Sequence, residues 1–314
     1  MFRRVDLRRA SRRCMRSWAL ALLLLLSLVL PTATAGAPTP TEAGMLFGGQ
    51  GGAVANGSTS TIGLDAMPPV LEDYTATWCE NCVYVEHALY DLMEERDGHV
   101  FSFHRSIGEV EDPFGTQELD ERWEERYSRR APPTVVFNGS TMVIGSIPEG
   151  ESLLEDFRAL ANQSLDLPEG ASTFSWTSAT SGSTTVTWSI SGGALDGHAG
   201  MDVVLNVELW IVEETARFPE GSNGEEDYPH IVRQIVPLDS QPWSNSGVAS
   251  SGAMEINLPP PFDGNDLSVH LVYALQSTAV DDVIDPSPEP SKRLPGPGAT
   301  VVLLALAVAA RNEA

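Results

Sequence analysis

Cys79 and Cys82, in Trp78-Cys79-Glu80-Asn81-Cys82, are the residues whose type and spacing bear most directly on reactivity. Val85, Ala88, Leu89, Leu92 and Met93 follow at helical spacing, so the pair opens a helix that Gly98 is placed to stop. At a helix start, the first sulfur faces backbone N–H groups and the positive end of the helix dipole, both of which stabilise a thiolate. The thiolate is the form that attacks disulfides, and a second thiol one turn away releases the mixed disulfide. Cys79 is therefore assigned as nucleophile and Cys82 as resolving cysteine. A fixed disulfide and half of a zinc site are the competing uses of the pair. Zinc needs two more ligands, and the sequence offers no second cysteine pair and no ligand spacing among its six histidines. No metal and no other cofactor is implied. Glu80, beside Cys79, opposes the thiolate and would make the couple more reducing than an isomerase.

The elements that must carry this pair are legible from periodicity. Val70–Tyr74 reads as a strand, residues 82–96 as a helix, and Val100–His104 as a second strand. Leu119, Trp123 and Tyr127 form another helical stripe. Thr134–Phe137 and Thr141–Ile144 flank Asn138-Gly139, a hairpin turn signal. Leu153, Leu154, Phe157 and Leu160 give a closing helix. The order βαβαββα indicates an α/β layer over 67–168. From 169 to 276 the pattern becomes period-two: Val186, Trp188 and Ile190, then Val203 to Ile211, then Leu267 to Tyr273. Gly, Pro and Asn separate these runs, as in an antiparallel β-sandwich. Residues 36–66, rich in Gly, Ser and Thr, read as a flexible linker. His87 and His104 read as solvated positions on a helix face and at a strand end.

The chain ends carry export features. Seven arginines between Arg3 and Arg16 precede the apolar run Ala19–Leu30 and Ala33-Thr34-Ala35, so 1–35 reads as a signal peptide or an uncleaved anchor. Ser11-Arg12-Arg13 fits twin-arginine export, and Met15 is an alternative start. Residues 277–298 form an acidic, Pro-rich linker. Leu294-Pro295-Gly296-Pro297-Gly298, the apolar run Ala299–Ala310 and Arg311 resemble an archaeal C-terminal sorting signal, with 299–314 as a short tail. This places the protein outside the cytosol, at the cell surface or anchored in a membrane by a terminal segment. The net charge is -24, and losing the Arg-rich leader makes the chain more acidic still, which excludes nucleic acid as a partner. Of three cysteines, Cys14 falls in the leader, so the mature chain keeps a single pair rather than the scattered cysteines of a stapled secreted domain. Asn56, Asn138 and Asn162 head N-x-S triplets that permit glycosylation.

Val70-Leu71-Glu72-Asp73-Tyr74-Thr75-Ala76-Thr77-Trp78-Cys79-Glu80-Asn81-Cys82 resembles the active-site strand and helix start of the thioredoxin family. Pro133-Thr134-Val135-Val136-Phe137-Asn138-Gly139 resembles that family's cis-proline strand and hairpin. The resemblance covers about residues 67–165 and implies a thioredoxin-like α/β fold, followed here by the antiparallel β-sandwich, and disulfide exchange. It implies that Asp73 is the buried carboxylate taking a proton from the resolving thiol, that Trp78 shields the nucleophile, and that Pro133 packs beside the cysteines. Substrate chain would pair with backbone at Pro132 and Thr134, and Pro132, lacking an N–H, departs from the family there. Residues 205–214 and 227–233 are similar to the β-rich C-terminal part of the family related to the twenty-eight-kilodalton outer membrane protein; His230 and Arg233 read there as a hydrogen-bonded pair near a strand start. The expected function is an exported thiol–disulfide oxidoreductase. Its partners would be protein thiols and disulfides and an extracytoplasmic or membrane electron donor or acceptor. The alternatives are a cell-surface binding or structural module with a static disulfide, and a copper chaperone.

Overall fold

A computed structural model of the protein describes residues 37–106, 108, 111–179, 182–195 and 203–277. The leader 1–35, the Pro-rich segment beyond Ser277 and the apolar tail 299–314 lie outside the described residues. The chain opens with strands β1 (Thr39–Pro40), β2 (Met45–Ala53) and β3 (Ser58–Gly63). It continues through β4 (Val70–Thr75), helix α1 (Glu80–Glu95), β5 (His99–His104) and α2 (Gln117–Tyr127). Next come β6 (Thr134–Phe137), β7 (Thr141–Ile144) and α3 (Leu153–Ala161). Six long strands finish it: β8 (Gly170–Trp176), β9 (Ser183–Gly192), β10 (Val203–Arg217), β11 (Asp227–Trp243), β12 (Val248–Asn257) and β13 (Leu267–Ser277).

Single elements fall where periodicity put them, but the architecture does not follow the expectation. An α/β thioredoxin-like fold followed by an antiparallel sandwich is not what the structure shows. The protein is mostly β, thirteen strands against three α-helices among the described residues, arranged in two sheets. One is a mixed nine-stranded sheet in the order β1-β7-β6-β4-β5-β11-β10-β13-β2; the other is a four-stranded sheet in the order β12-β9-β8-β3. The strands around the cysteine pair do not end in a sheet of their own. β5 pairs in parallel with β11 at Ser102–Ile231, and β11, β10 and β13 extend the same sheet. All described residues belong to one compact unit.

The physical reason lies in how the strands share faces. β10 is apolar on both sides: Leu205, Val207, Leu209 and Ile211 pack into the sandwich core with the four-stranded sheet. Trp210 and Val212 face the other way, into a core with Phe101, Phe103, Trp123 and Tyr127. A strand buried on both faces needs cover on both, and α2 supplies the second layer. A third core, built on Leu71, Val85, Leu89, Val135 and Phe157, seats α1 and α3 on the sheet.

The flexible linker over 36–66 is also corrected. Its glycines serve close backbone approach rather than mobility. β2 pairs with β13 along its length, and a Cβ on Gly51 would meet the Val269 carbonyl oxygen at 2.0 Å. Gly49 has φ +85°, a conformation that L side chains rarely adopt, and a Cβ there would strike the His99 ring at 2.2 Å. β3 pairs with β8 in the second sheet. Only Thr41–Gly44 separate β1 and β2, which lie at opposite ends of the nine-stranded order, and the Leu46 N–H donates to the Asn138 carbonyl at 2.7 Å.

Asn138 is removed from the set of glycosylation acceptors, because it is buried and its Oδ1 accepts from the Val70 N–H at 2.9 Å. Asn56 and Asn162 are exposed. Among the described residues no helix is long and apolar enough to cross a membrane.

Candidate functional site

Cys79 and Cys82 are joined in a disulfide, with their Cα atoms 5.3 Å apart. β4 delivers them: all six of its residues are buried, and the chain leaves Thr75 for the cysteine turn. Cys79 is the N-cap of α1 and makes no side-chain cap hydrogen bond, so its side chain stands at the positive end of the helix dipole, and the Cys82 N–H closes the turn on the Cys79 carbonyl at 3.1 Å. Cys82 lies in the first turn and is fully buried, whereas Cys79 is 6% exposed. Both are buried residues, and the one assigned as nucleophile is the less completely covered. Trp78 is half-buried against both cysteines and Ala76, with the Arg105 guanidinium 5.5 Å from its ring centre. Glu80 is exposed in the first turn.

Asp73 sits on β4 below this turn, fully buried, and neither carboxylate oxygen has a hydrogen-bond partner. Desolvation, then the nearby negative charge of Glu86, raises its pKa well above the ordinary carboxylate range. Glu86 lies four residues beyond Cys82 on α1, so the two share a helix face. It is buried too, and its Oε1 accepts from the Thr75 hydroxyl at 2.5 Å. Sequence reading missed Glu86, since a glutamate beside an apolar stripe normally faces solvent. The only available signal was its four-residue spacing from Cys82.

His104 is not the solvated strand-end residue expected of it. It is buried, with Nδ1 2.8 Å from Asp112 Oδ2. Asp112 also accepts from the Thr77 N–H at 2.9 Å and the Phe114 N–H at 3.0 Å. Burial works against its charge, but His104 and these N–H groups hold its carboxyl below the usual range. His87 is largely exposed, 3.6 Å from Glu225.

The connection between β10 and β11 also reaches the cysteine turn. The Thr77 carbonyl accepts from the Ser222 N–H at 2.9 Å and the Asn223 N–H at 3.1 Å, both in the β10–β11 connection. Tyr228 donates its hydroxyl to Asn223 Oδ1 at 2.9 Å and braces that connection. The backbone two residues before Cys79 is therefore held from both sides, by Asp112 and by the β10–β11 connection.

Pro132 and Pro133 are joined by a cis peptide bond at the start of β6. The Pro133 carbonyl accepts from the Gly145 N–H at 2.9 Å. Thr134, buried, pairs in register with Tyr74 and donates its hydroxyl to the Ala131 carbonyl at 2.6 Å. The structure thus puts the Pro132-Pro133-Thr134 segment at the sheet end where β4 gives way to the cysteine turn. His230 and Arg233 do not pair with one another. His230, at φ 55°, lies 3.4 Å from Glu214, and Arg233 bonds the buried Glu213 at 2.9 Å. Glu213 further accepts from the Phe262 and Asp263 N–H groups. Among the described residues no group of three or more His, Cys, Asp or Glu is placed to hold a metal ion.

No protein-family model and no curated protein matches the chain. Among solved structures it is similar to HBP35 of Porphyromonas gingivalis, at 13% identity and TM-score 0.45, over 71% of this chain and 80% of that one. It is also similar to a structural-genomics protein of Agrobacterium tumefaciens, at 18% identity and TM-score 0.37, over 60% of this chain and 78% of that one. Likeness at this level carries no functional argument, so function is argued from this chain's own residues.

Proposed function

We propose that this protein is an exported thiol–disulfide oxidoreductase working through the Cys79–Cys82 couple. The observation that supports this reading is the buried, unpartnered Asp73 facing the helix that carries the disulfide. A disulfide that only stabilises has no use for a desolvated carboxyl, whereas cleavage of one needs a proton for the departing sulfur. A thiolate of a client protein attacks Sγ of Cys79. The S–S bond breaks, its electron pair stays on Cys82, and the proton held by Asp73 passes to that sulfur. The client's second thiolate then attacks its own sulfur in the mixed disulfide and releases the Cys79 thiolate. The client dithiol is oxidised by two electrons and the cysteine pair is reduced. A dithiol or disulfide protein outside the cytosol resets the couple, and the same steps reversed reduce a client disulfide.

A second reading is a surface or structural module whose disulfide is static. It draws support from the low exposure of Cys79 and the double hold on Thr77. Insulin reduction by dithiothreitol separates the two. The protein should accelerate precipitation of the insulin B chain well beyond the reagent alone, and Cys79→Ser should return the rate to background. Wild-type protein no faster than Cys79→Ser leaves the static module.

A further inference from the structure

Asp73 is not the only carboxyl buried under the cysteine turn. Glu86 projects from the same face of α1 as Cys82, and Thr75, two residues along β4 from Asp73, holds it. Two carboxyls in one desolvated space do not both ionise, so one keeps a proton. The hydrogen bonds decide which. Glu86 accepts from Thr75, while both oxygens of Asp73 are without donors.

We propose that Asp73 and Glu86 form a proton-sharing pair beneath the disulfide, in which Glu86 is a positioning residue whose charge keeps the transferable proton on Asp73. The inference rests on the oxidoreductase reading. The other titratable groups facing the pair are Tyr90 and His87 on α1, and His104 on β5 with Asp112 beyond it. Tyr228 on β11 and Glu225 in the β10–β11 connection also face the pair. None of these donates a hydrogen bond to Asp73, and Thr75 is the donor that distinguishes Glu86. During exchange the Asp73 proton goes to the Cys82 sulfur and leaves two adjacent carboxylates. Their repulsion draws the proton back when Cys82 attacks again, so the pair acts as a reversible proton store.

The test is the pH dependence of disulfide reduction by dithiothreitol in the folded, full chain, expressed per reagent thiolate. For wild type this rate should fall as pH rises through loss of the Asp73 proton, at a midpoint above the ordinary carboxylate range. Glu86→Gln removes the neighbouring charge and should lower the midpoint by about one pH unit or more. Asp73→Asn should give a low, flat profile. An unchanged midpoint in Glu86→Gln overturns the pairing while leaving the redox reading intact. A wild-type disulfide that dithiothreitol does not open overturns both. Should Glu86→Gln not fold, the infrared carbonyl stretch of a protonated carboxyl in the wild-type protein decides. Persistence above the ordinary carboxylate range, and loss in Asp73→Asn, is expected, and its absence in wild type ends the proposal.

Discussion

Replacing Cys82 by alanine is expected, on the proposed redox reading, to leave a protein that traps its clients instead of turning them over. Cys79 stays at the helix start and still captures client sulfurs, but no neighbouring thiol remains to displace them. An adjacent intramolecular nucleophile is worth an effective concentration on the order of 10⁵ M or more, so its loss should leave mixed disulfides stable on the time scale of purification. One client per chain should appear on non-reducing gels and vanish with reductant, and mass spectrometry should place the adduct on Cys79. Cys79→Ala should give no adducts, because Cys82 is fully buried. Equal trapping by the two variants would show that the sulfurs are not differentiated, and no trapping by Cys82→Ala would show that Cys79 is not a nucleophile.

Trp210→Ala is expected to lower stability by about 3–5 kcal/mol, the usual cost of emptying a tryptophan site in a close-packed core. Trp210 is fully buried on β10, and its ring packs on other elements: ring centres of Phe101 at 4.9 Å and Phe103 at 5.3 Å on β5, and the Arg122 guanidinium at 5.2 Å on α2. Its indole N–H donates to Glu208 at 2.8 Å. The strand ladder between β5 and β11 is short, with Ser102–Ile231 as its register pair, so side-chain packing joins the cysteine-bearing strands to the rest of the sheet. Denaturant unfolding followed by far-ultraviolet circular dichroism and by tryptophan fluorescence should show one coincident transition in wild type and in Trp210→Ala. Two separated transitions would mean that the β-rich half and the cysteine half fold independently, against the continuous nine-stranded sheet.

Residue patterns revealed the local elements of the site better than the assembly around it. The apolar stripe from Val85 to Met93 and the alternation through β10 and β13 each report one element's own buried face, and these were readable. Which strand of one segment would lie beside which strand of another was not, because 122 residues, 105–226, lie between the end of β5 and the start of β11, and the two meet through a narrow ladder. β2 was hidden for a different reason. Four glycines remove the side chains on which a period-two reading depends, although they are what allow β13 and His99 to come so close. In the site, the cysteines were singled out from their spacing, and Asp73 and the Pro132-Pro133 segment from the resemblance to the thioredoxin family. Glu86 and the His104–Asp112 pair were not, since burial of a charged side chain becomes visible only when the surface that covers it is known.

The most direct check is to expose the folded protein to dithiothreitol, quench with acid, alkylate, and count modified cysteines while near-ultraviolet circular dichroism follows the tertiary structure. The redox reading predicts that both cysteines are found reduced, by alkylation in denaturant after the quench, at times when the fold before the quench is still intact, and that glutathione disulfide restores the bond. A disulfide that opens only as the whole chain unfolds would contradict it, and would leave the pair as a fixed link at the start of α1.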